Sequence, residues 1–367
     1  MSLVHDDGTE DAAGGYRTQK DAKSKAAALL TDAKRGRYVA PESGTVSDYL
    51  VEEWLPSRDN ADISIGTRDT ERVIVTSWIL PHLGKIPLQK LGARDLDRLY
   101  ATLRAGGGRG GRPLAGKTVR NVHGLLSKAL GDAVRRGHLV VNPVLAVDVP
   151  TRDDSVERLA WTLEEARTFL SVAKSDRLYA VWRLLLATGA RRGELLGLTW
   201  EDVGGGSATI QRQVLVRSGR GRVYVRATTK TRKARRVRFD DATAAALKSW
   251  KAAQAAERIA FGPAYRTDGG LGIEASWVVT EPDGHVIHPD TLGRRFEALV
   301  KLAGVTPITL HSARHSYAEI ALQSGVRLDV VSRQLGHSSI ATTANIYTHD
   351  NDEAAEKAAE KIGHVFG

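Results

Sequence analysis

At 367 residues, 42% hydrophobic and 26% charged, the chain is long enough for two or three domains with cores of their own, which excludes a single small module. No apolar run approaches the ~20 residues of a membrane-spanning helix, the first fifteen residues lack the basic-then-apolar order of a secretion signal, and a chain without cysteine builds no disulfide framework, so a cytoplasmic location is expected. A formal charge of +10 and a pI near 9.7 make a polyanion, DNA or RNA, the first partner to test.

Taken in chain order, Thr18 to Arg35 is expected to be a helix, with Thr18 as N-cap, Ala22, Ala26, Leu29, Leu30 and Ala33 at helical spacing, and Gly36 at its end. Too few residues precede it for a domain, so either the N-terminus is shortened or the element docks elsewhere. Residues 1–44 are therefore read as an N-terminal segment with one helix.

Residues 45–149 hold four apolar-periodic stretches, starting near Thr45, Ser64, Ala93 and Lys117. Pro81-His82-Leu83-Gly84 and the glycine-rich run from Gly106 to Gly111 separate them, and together they predict an all-helical domain. In the fourth stretch Val119, Val122, Leu126, Ala129 and Ala133 follow a 3,4,3,4 spacing. At about 100° per residue, Lys117, Arg120, Lys128 and Arg135 fall on the opposite face. A solvated surface is the ordinary fate of such a face. Four cations with no acid among them repel one another unless phosphates neutralise them, which favours DNA contact.

Asn142-Pro143 closes that domain, and the polar stretch 150–160 reads as a linker. The second domain, 161–367, opens with a capping box, Thr162 and Glu165, for a helix through Ala173, followed by a helix from about Asp176 to Thr188. Residues 207–239 switch to strand-like alternation, with Val223, Val225, Val237 and Phe239 set among arginines and threonines. Helices are expected over Ala242–Ala260, Pro289–Ala303, Leu310–Ser324 and Leu328–Leu335, with a short strand near Trp277–Thr280. The fold class is mainly α with a small antiparallel sheet.

Between Arg212 and Arg238 stand eleven lysines and arginines and no acid in 27 residues, a strong nucleic-acid signal that includes Arg232, Lys233 and Arg235. Lys230 sits in a turn-like run between two strand candidates. Alone it is one phosphate contact among many, although a flexible ammonium there has the reach to protonate a leaving oxygen. Arg191 and Glu194 share a helix face at i, i+3, the spacing of an ordinary ion pair. His311 and Arg314 lie three apart at a helix start, where free backbone N–H groups favour an anion. His311 and His315 at i, i+4 lack the glutamate and third ligand of a zinc helix, so no metal is expected. No nucleotide-binding glycine motif is present, so no cofactor is expected.

Arg191 to Leu195, Lys230, His311 to Arg314, and Leu335-Gly336-His337 followed ten residues later by Tyr347 together resemble the tyrosine recombinase family, the phage-type integrases. The resemblance covers nearly everything from Thr45 onward and implies a helical core-type DNA-binding domain followed by a catalytic domain of helices and a small sheet. It implies that Arg191 and Arg314 bind the scissile phosphate, that His311 and His337 are the two histidines, that Lys230 is the hairpin lysine, that Tyr347 is the nucleophile and that Glu194 supports the first arginine. The helix before Gly36 is similar to the end of an arm-binding domain, but no strands are legible ahead of it, so 1–44 reads as a remnant of one.

The activity so implied is site-specific recombination of double-stranded DNA at attachment sites through a 3′-phosphotyrosine, integrating or excising a phage or other mobile element. The resemblance also implies a homotetramer on DNA, to which Ala354, Ala358, Ile362 and Val365 of the tail would add a small apolar stripe, and an excisionase or DNA-bending protein as a candidate accessory partner. Two alternatives remain open from sequence: a type IB topoisomerase, and a non-catalytic DNA-binding regulator that would not need Tyr347.

Overall fold

The computed structural model describes residues 2–4, 10–12, 23, 43–108, 110–151, 159–217, 221–226 and 234–336. The chain divides into two compact units, Met1–Val156 and Glu157–Gly367.

The first unit opens with an antiparallel pair, β1 (Ser2–Val4) and β2 (Glu10–Ala12), in which Leu3 faces Asp11. This corrects the expectation that no strands precede residue 18: three-residue strands are too short to show an alternation in sequence. The expected helix Thr18 to Arg35 lies outside the described residues.

Four helical elements follow, at the four expected places. α1 starts at Val46–Asp48, passes through a π-helical Tyr49–Trp54 and ends as Leu55–Asp59. α2 repeats the device, with Ile65–Ile74, a π-helical Val75–Ile79 and then Leu80–Leu83. α3 is Ala93–Gly106 and α4 is Gly116–Arg135. The helix therefore continues through Pro81 and stops at Gly84, where a separator was expected. In both α1 and α2 the wide π turn lies directly ahead of a proline, Pro56 or Pro81, which has no N–H to give to the preceding turn and whose ring needs room there.

Thr45 and Asp48 cap α1 reciprocally, and Ser64 Oγ accepts from Thr67 N at the start of α2. Leu50, Trp54, Ile79, Leu83, Leu96, Leu99, Leu103 and Leu126 fill the core between the four. α4 also receives two buried donors: Tyr49 Oη donates to the Ala129 carbonyl at 2.8 Å and Trp54 Nε1 to Asp132 Oδ2 at 2.8 Å.

In the second unit, α5 (Leu163–Val172) carries the expected capping box, with Glu165 N donating to Thr162 Oγ1 and Thr162 N to Glu165 Oε2. α6 is Tyr179–Thr188. It begins three residues after the expected start, because Asp176 Oδ1 accepts from Leu178 N and Trp182 Nε1 and so shapes a turn ahead of the helix. α7 (Arg192–Leu196) leads into β3 (Val203–Gly204), β4 (Ser207–Ile210), β5 (Gln213–Val216), β6 (Val223–Arg226) and β7 (Arg235–Arg238). All pairings are antiparallel, in the orders β3-β4-β7 and β5-β6.

α8 (Asp241–Phe261), α9 (Pro289–Ala303), α10 (Leu310–Gln323) and α11 (Leu328–Leu335) are the remaining α-helices among the described residues of this unit. Trp277–Thr280 bends at Val278 and Val279 and makes only isolated bridges, Thr199 with Trp277 and Thr280 with Val286, so the strand expected there does not form. Trp277, Val278 and Val279 are all buried, so the alternation of a one-sided strand is missing.

Trp161, Phe169, Trp182 and Phe296 make an aromatic cluster with ring centroids 4.9–5.8 Å apart. Phe296 touches the other three, and its side chain is fully buried. Phe296→Ala is expected to destabilise this unit by roughly 3–5 kcal/mol through cavity formation, read as a drop in the denaturation midpoint. A loss below about 1 kcal/mol would mean that Phe296 is not the keystone of this core.

Candidate active site

α6 ends at Gly189, whose φ of +60° is left-handed. Two features require glycine there. A side chain strains that backbone conformation, and a Cβ would fall 2.7 Å from both Leu335 Cδ2 and Tyr317 Cδ1. Gly189→Ala is therefore expected to lower the melting temperature and slow DNA cleavage together, since Arg191 lies two residues on. Unchanged melting and cleavage would show that the turn is not under this constraint.

Arg314 lies on α10 with 3% of its surface exposed. Its Nη1 donates to the Gly189 carbonyl at 2.8 Å and its Nη2 to the Leu335 carbonyl at 2.7 Å. One guanidinium thus joins the end of α6, the body of α10 and the end of α11. His311, one turn earlier on α10, is exposed, and its ring meets that of His315 edge-on at 5.1 Å. Thr309 Oγ1 caps this helix by accepting from Ser312 N.

Arg191 immediately precedes α7. Its Nη1 donates to Glu194 Oε1 at 2.9 Å and its backbone N–H to Glu194 Oε2 at 2.9 Å. Glu194 is 1% exposed. Burial alone raises its pKa, but the hydrogen bonds and charge of Arg235, with those of Arg191, outweigh burial and hold the carboxyl at about 2. Arg235, on β7, donates from Nη1 to Glu194 Oε1 at 2.9 Å and from Nη2 to Oε2 at 2.5 Å.

Arg191 and Glu194 at the start of α7 and His311 and Arg314 on α10 thus stand on two helices, joined by the Arg314 bond to the Gly189 carbonyl just ahead of α7. Lys230, His337, Tyr347, Arg232, Lys233 and the tail stripe lie outside the described residues. Of the strands on either side of Lys230, β6 pairs with β5 and β7 with β4 among the described residues.

The two basic stretches also need correction. On α4, Lys117, Arg120, Lys128 and Arg135 are all exposed, but acids do neighbour two of them: Asp132 pairs with Arg135, and Glu71 of α2 lies 3.9 Å from Lys128. In the 212–238 stretch, Arg212 donates to Asp202 Oδ2 at 2.9 Å, Arg226 to Gln213 Oε1, Arg236 to Ser207 Oγ, and Arg235 to Glu194. The acids that neutralise Arg212 and Arg235 come from outside the stretch, so a count within it overstated the cations free for phosphate. Arg235 in particular, expected to contact DNA, has its three side-chain nitrogens occupied within the chain. Sequence reading missed this role because no local spacing links residues 41 apart.

Comparison with known proteins places this arrangement. The Tn1549 transposon integrase, solved in complex with a circular intermediate DNA, superposes with a TM-score of 0.69 at 21% identity over 87% of this chain and all of that one. Lambda integrase, solved as a tetramer bound to a Holliday junction, superposes at 0.59 with 16% identity over 94% of this chain and 91% of that one. The fold is that of these integrases. In sequence, a tyrosine recombinase XerC-like protein of Caldanaerobacter subterraneus subsp. tengcongensis is 27% identical across 95% of this chain and 90% of its own length. Residues 151–354 match the phage integrase family. The chain belongs to that family and is a tyrosine-type site-specific DNA recombinase. Among the described residues no helix is long and apolar enough to cross a membrane.

Proposed function

We propose that Tyr347 attacks a phosphodiester of attachment-site DNA, with Arg191 and Arg314 holding the non-bridging oxygens, His337 donating to one of them, His311 taking the tyrosine proton and Lys230 protonating the departing 5′ oxygen. The observation that carries this reading is the way the two arginines are held. Arg314 is buried and tied to two carbonyls, and Arg191 is tied through the buried Glu194. Fixed planar cations of this kind stabilise the charge that builds on phosphate oxygens in the transition state, and they need no reorganisation at the moment of reaction. The phosphate–tyrosine diester replaces one diester with another. The freed 5′ hydroxyl of a partner strand then reverses the step, returning the proton and regenerating Tyr347, so no external energy source is required.

Around that chemistry, Lys117 and Arg120 on the exposed face of α4 would neutralise backbone phosphates, with Lys128 and Arg135 beside them and Arg232 and Lys233 next to the lysine. The working form is a homotetramer on two duplexes in the cytoplasm, integrating or excising a mobile element with an excisionase or DNA-bending protein as accessory. Lambda integrase, as a tetramer on a Holliday junction, is the precedent in the same fold.

A nicked suicide duplex carrying the attachment site tests the reading. A denaturant-resistant protein–DNA adduct is expected. Nicking and relaxation of supercoiled DNA without partner exchange would favour a topoisomerase, and binding without an adduct would favour a regulator.

A further inference from the structure

We propose that Arg235 is a positioning residue for strand cleavage: it holds Glu194 in the orientation that aims Arg191 and pins the end of α11, and it makes no DNA contact. The inference rests on the catalytic reading above and assigns a role that the resemblance does not.

Each nitrogen of the Arg235 guanidinium has a partner in the chain. Nη1 and Nη2 grip the two Glu194 oxygens, and Nε donates to the Gln334 carbonyl at 3.0 Å. Only 13% of the side chain is exposed. It lies flat on Gly336, where φ is +70° and an added Cβ would stand 2.7 Å from Arg235 Cδ and 2.9 Å from Nε. The Gln334 side chain reinforces the same junction, with Nε2 donating to the Arg238 carbonyl at 2.7 Å. β7 is thereby fastened to the turn next to His337, while Arg314 fastens that turn to α10 through the Leu335 carbonyl.

The consequence falls on Arg191. Each Glu194 oxygen is shared between the two arginines: Oε1 takes Nη1 from both, and Oε2 takes the Arg191 backbone N–H and Arg235 Nη2. With Arg235 saturating the carboxylate, Arg191 gives it a single side-chain bond and keeps 37% of its side chain exposed. Without Arg235, a buried carboxylate faces Arg191 alone. Arg191 is then drawn into a two-pronged pair and withdrawn from phosphate, or the carboxyl takes a proton and stops orienting it.

The test compares wild type with R235Q, R235K, E194Q and the double variant R235Q/E194Q, scoring the adduct rate on the suicide duplex at saturating protein. A salt series of Kd on an intact attachment-site duplex is run alongside. R235Q is expected to cleave about a hundredfold or more slowly, with the slope of log Kd against log salt unchanged. R235K is expected to rescue little, because one ammonium cannot replace three directed nitrogens. The double variant is expected to recover about tenfold over R235Q, because the buried carboxylate is gone.

A salt slope reduced by about one unit with cleavage intact would make Arg235 a phosphate contact and overturn the proposal, as would full rescue by lysine. If R235Q fails to fold, R235K decides by the same two readouts. Absence of any adduct from wild type would sink the Tyr347 reading, whereas the salt slope would still judge Arg235.

Discussion

Tyr347→Phe is expected to abolish the covalent adduct while leaving binding to attachment-site DNA intact. The substitution removes one oxygen and keeps the ring, so any loss of adduct reports the nucleophile and not the packing. Removal of a nucleophile from an otherwise intact site lowers turnover by a factor on the order of 10⁴ or more. Tyr317 is the competing tyrosine in the second unit, since it lies three residues beyond Arg314. Burial pushes its hydroxyl pKa upward against the opposing pull of Arg314, and its ring packs with Ala318, Val331 and Leu335 and closes on Gly189. A hydroxyl that resists ionisation is a poor nucleophile near neutral pH, so Tyr317 is not expected to substitute. The measurement is a denaturing gel of wild type and variant on the suicide duplex. A persistent adduct in the variant would move the chemistry to another residue.

Where local chemistry sets an element, the sequence was readable. Pro289 at the first turn of α9 and Gly304 in the left-handed conformation after it mark that helix to the residue, and Gly336 does the same for the end of α11. The reciprocal pair Thr162 and Glu165 likewise announced α5. The pairing of Arg191 with Glu194 followed from helical spacing. Features set by distant partners were not readable. α1 and α2 run on past Pro56 and Pro81 with the π-turn residues Leu50, Trp54, Val75 and Ile79 buried in the core, whereas proline locally argues for a stop. Glu71 reaches Lys128 from another helix, and Arg235 meets Glu194 across 41 residues. The bias that misled was counting charges within a window, because an ion pair in a folded chain takes no notice of the window's edges.

Arg314→Lys should reduce cleavage by about 10²- to 10³-fold and, unlike Arg191→Lys, should also lower the melting temperature. The two arginines would serve one phosphate but are embedded differently. Arg314 is 3% exposed and donates to two carbonyls from two separate elements. A lysine reaches one of them and leaves the other unpaired in the interior, at a loss of about 1–3 kcal/mol. It also loses the planar fork that matches two phosphate oxygens. Arg191 keeps 37% of its side chain in solvent, so its pairing with Glu194 is partly screened and contributes less to stability. For Arg191→Lys the expectation is a comparable loss of adduct formation with little change in melting. Melting curves and single-turnover cleavage of both variants separate the two effects. An Arg314→Lys protein that cleaves at near wild-type rate would remove Arg314 from the phosphate site, and equal melting shifts would mean that the buried carbonyls do not depend on its fork.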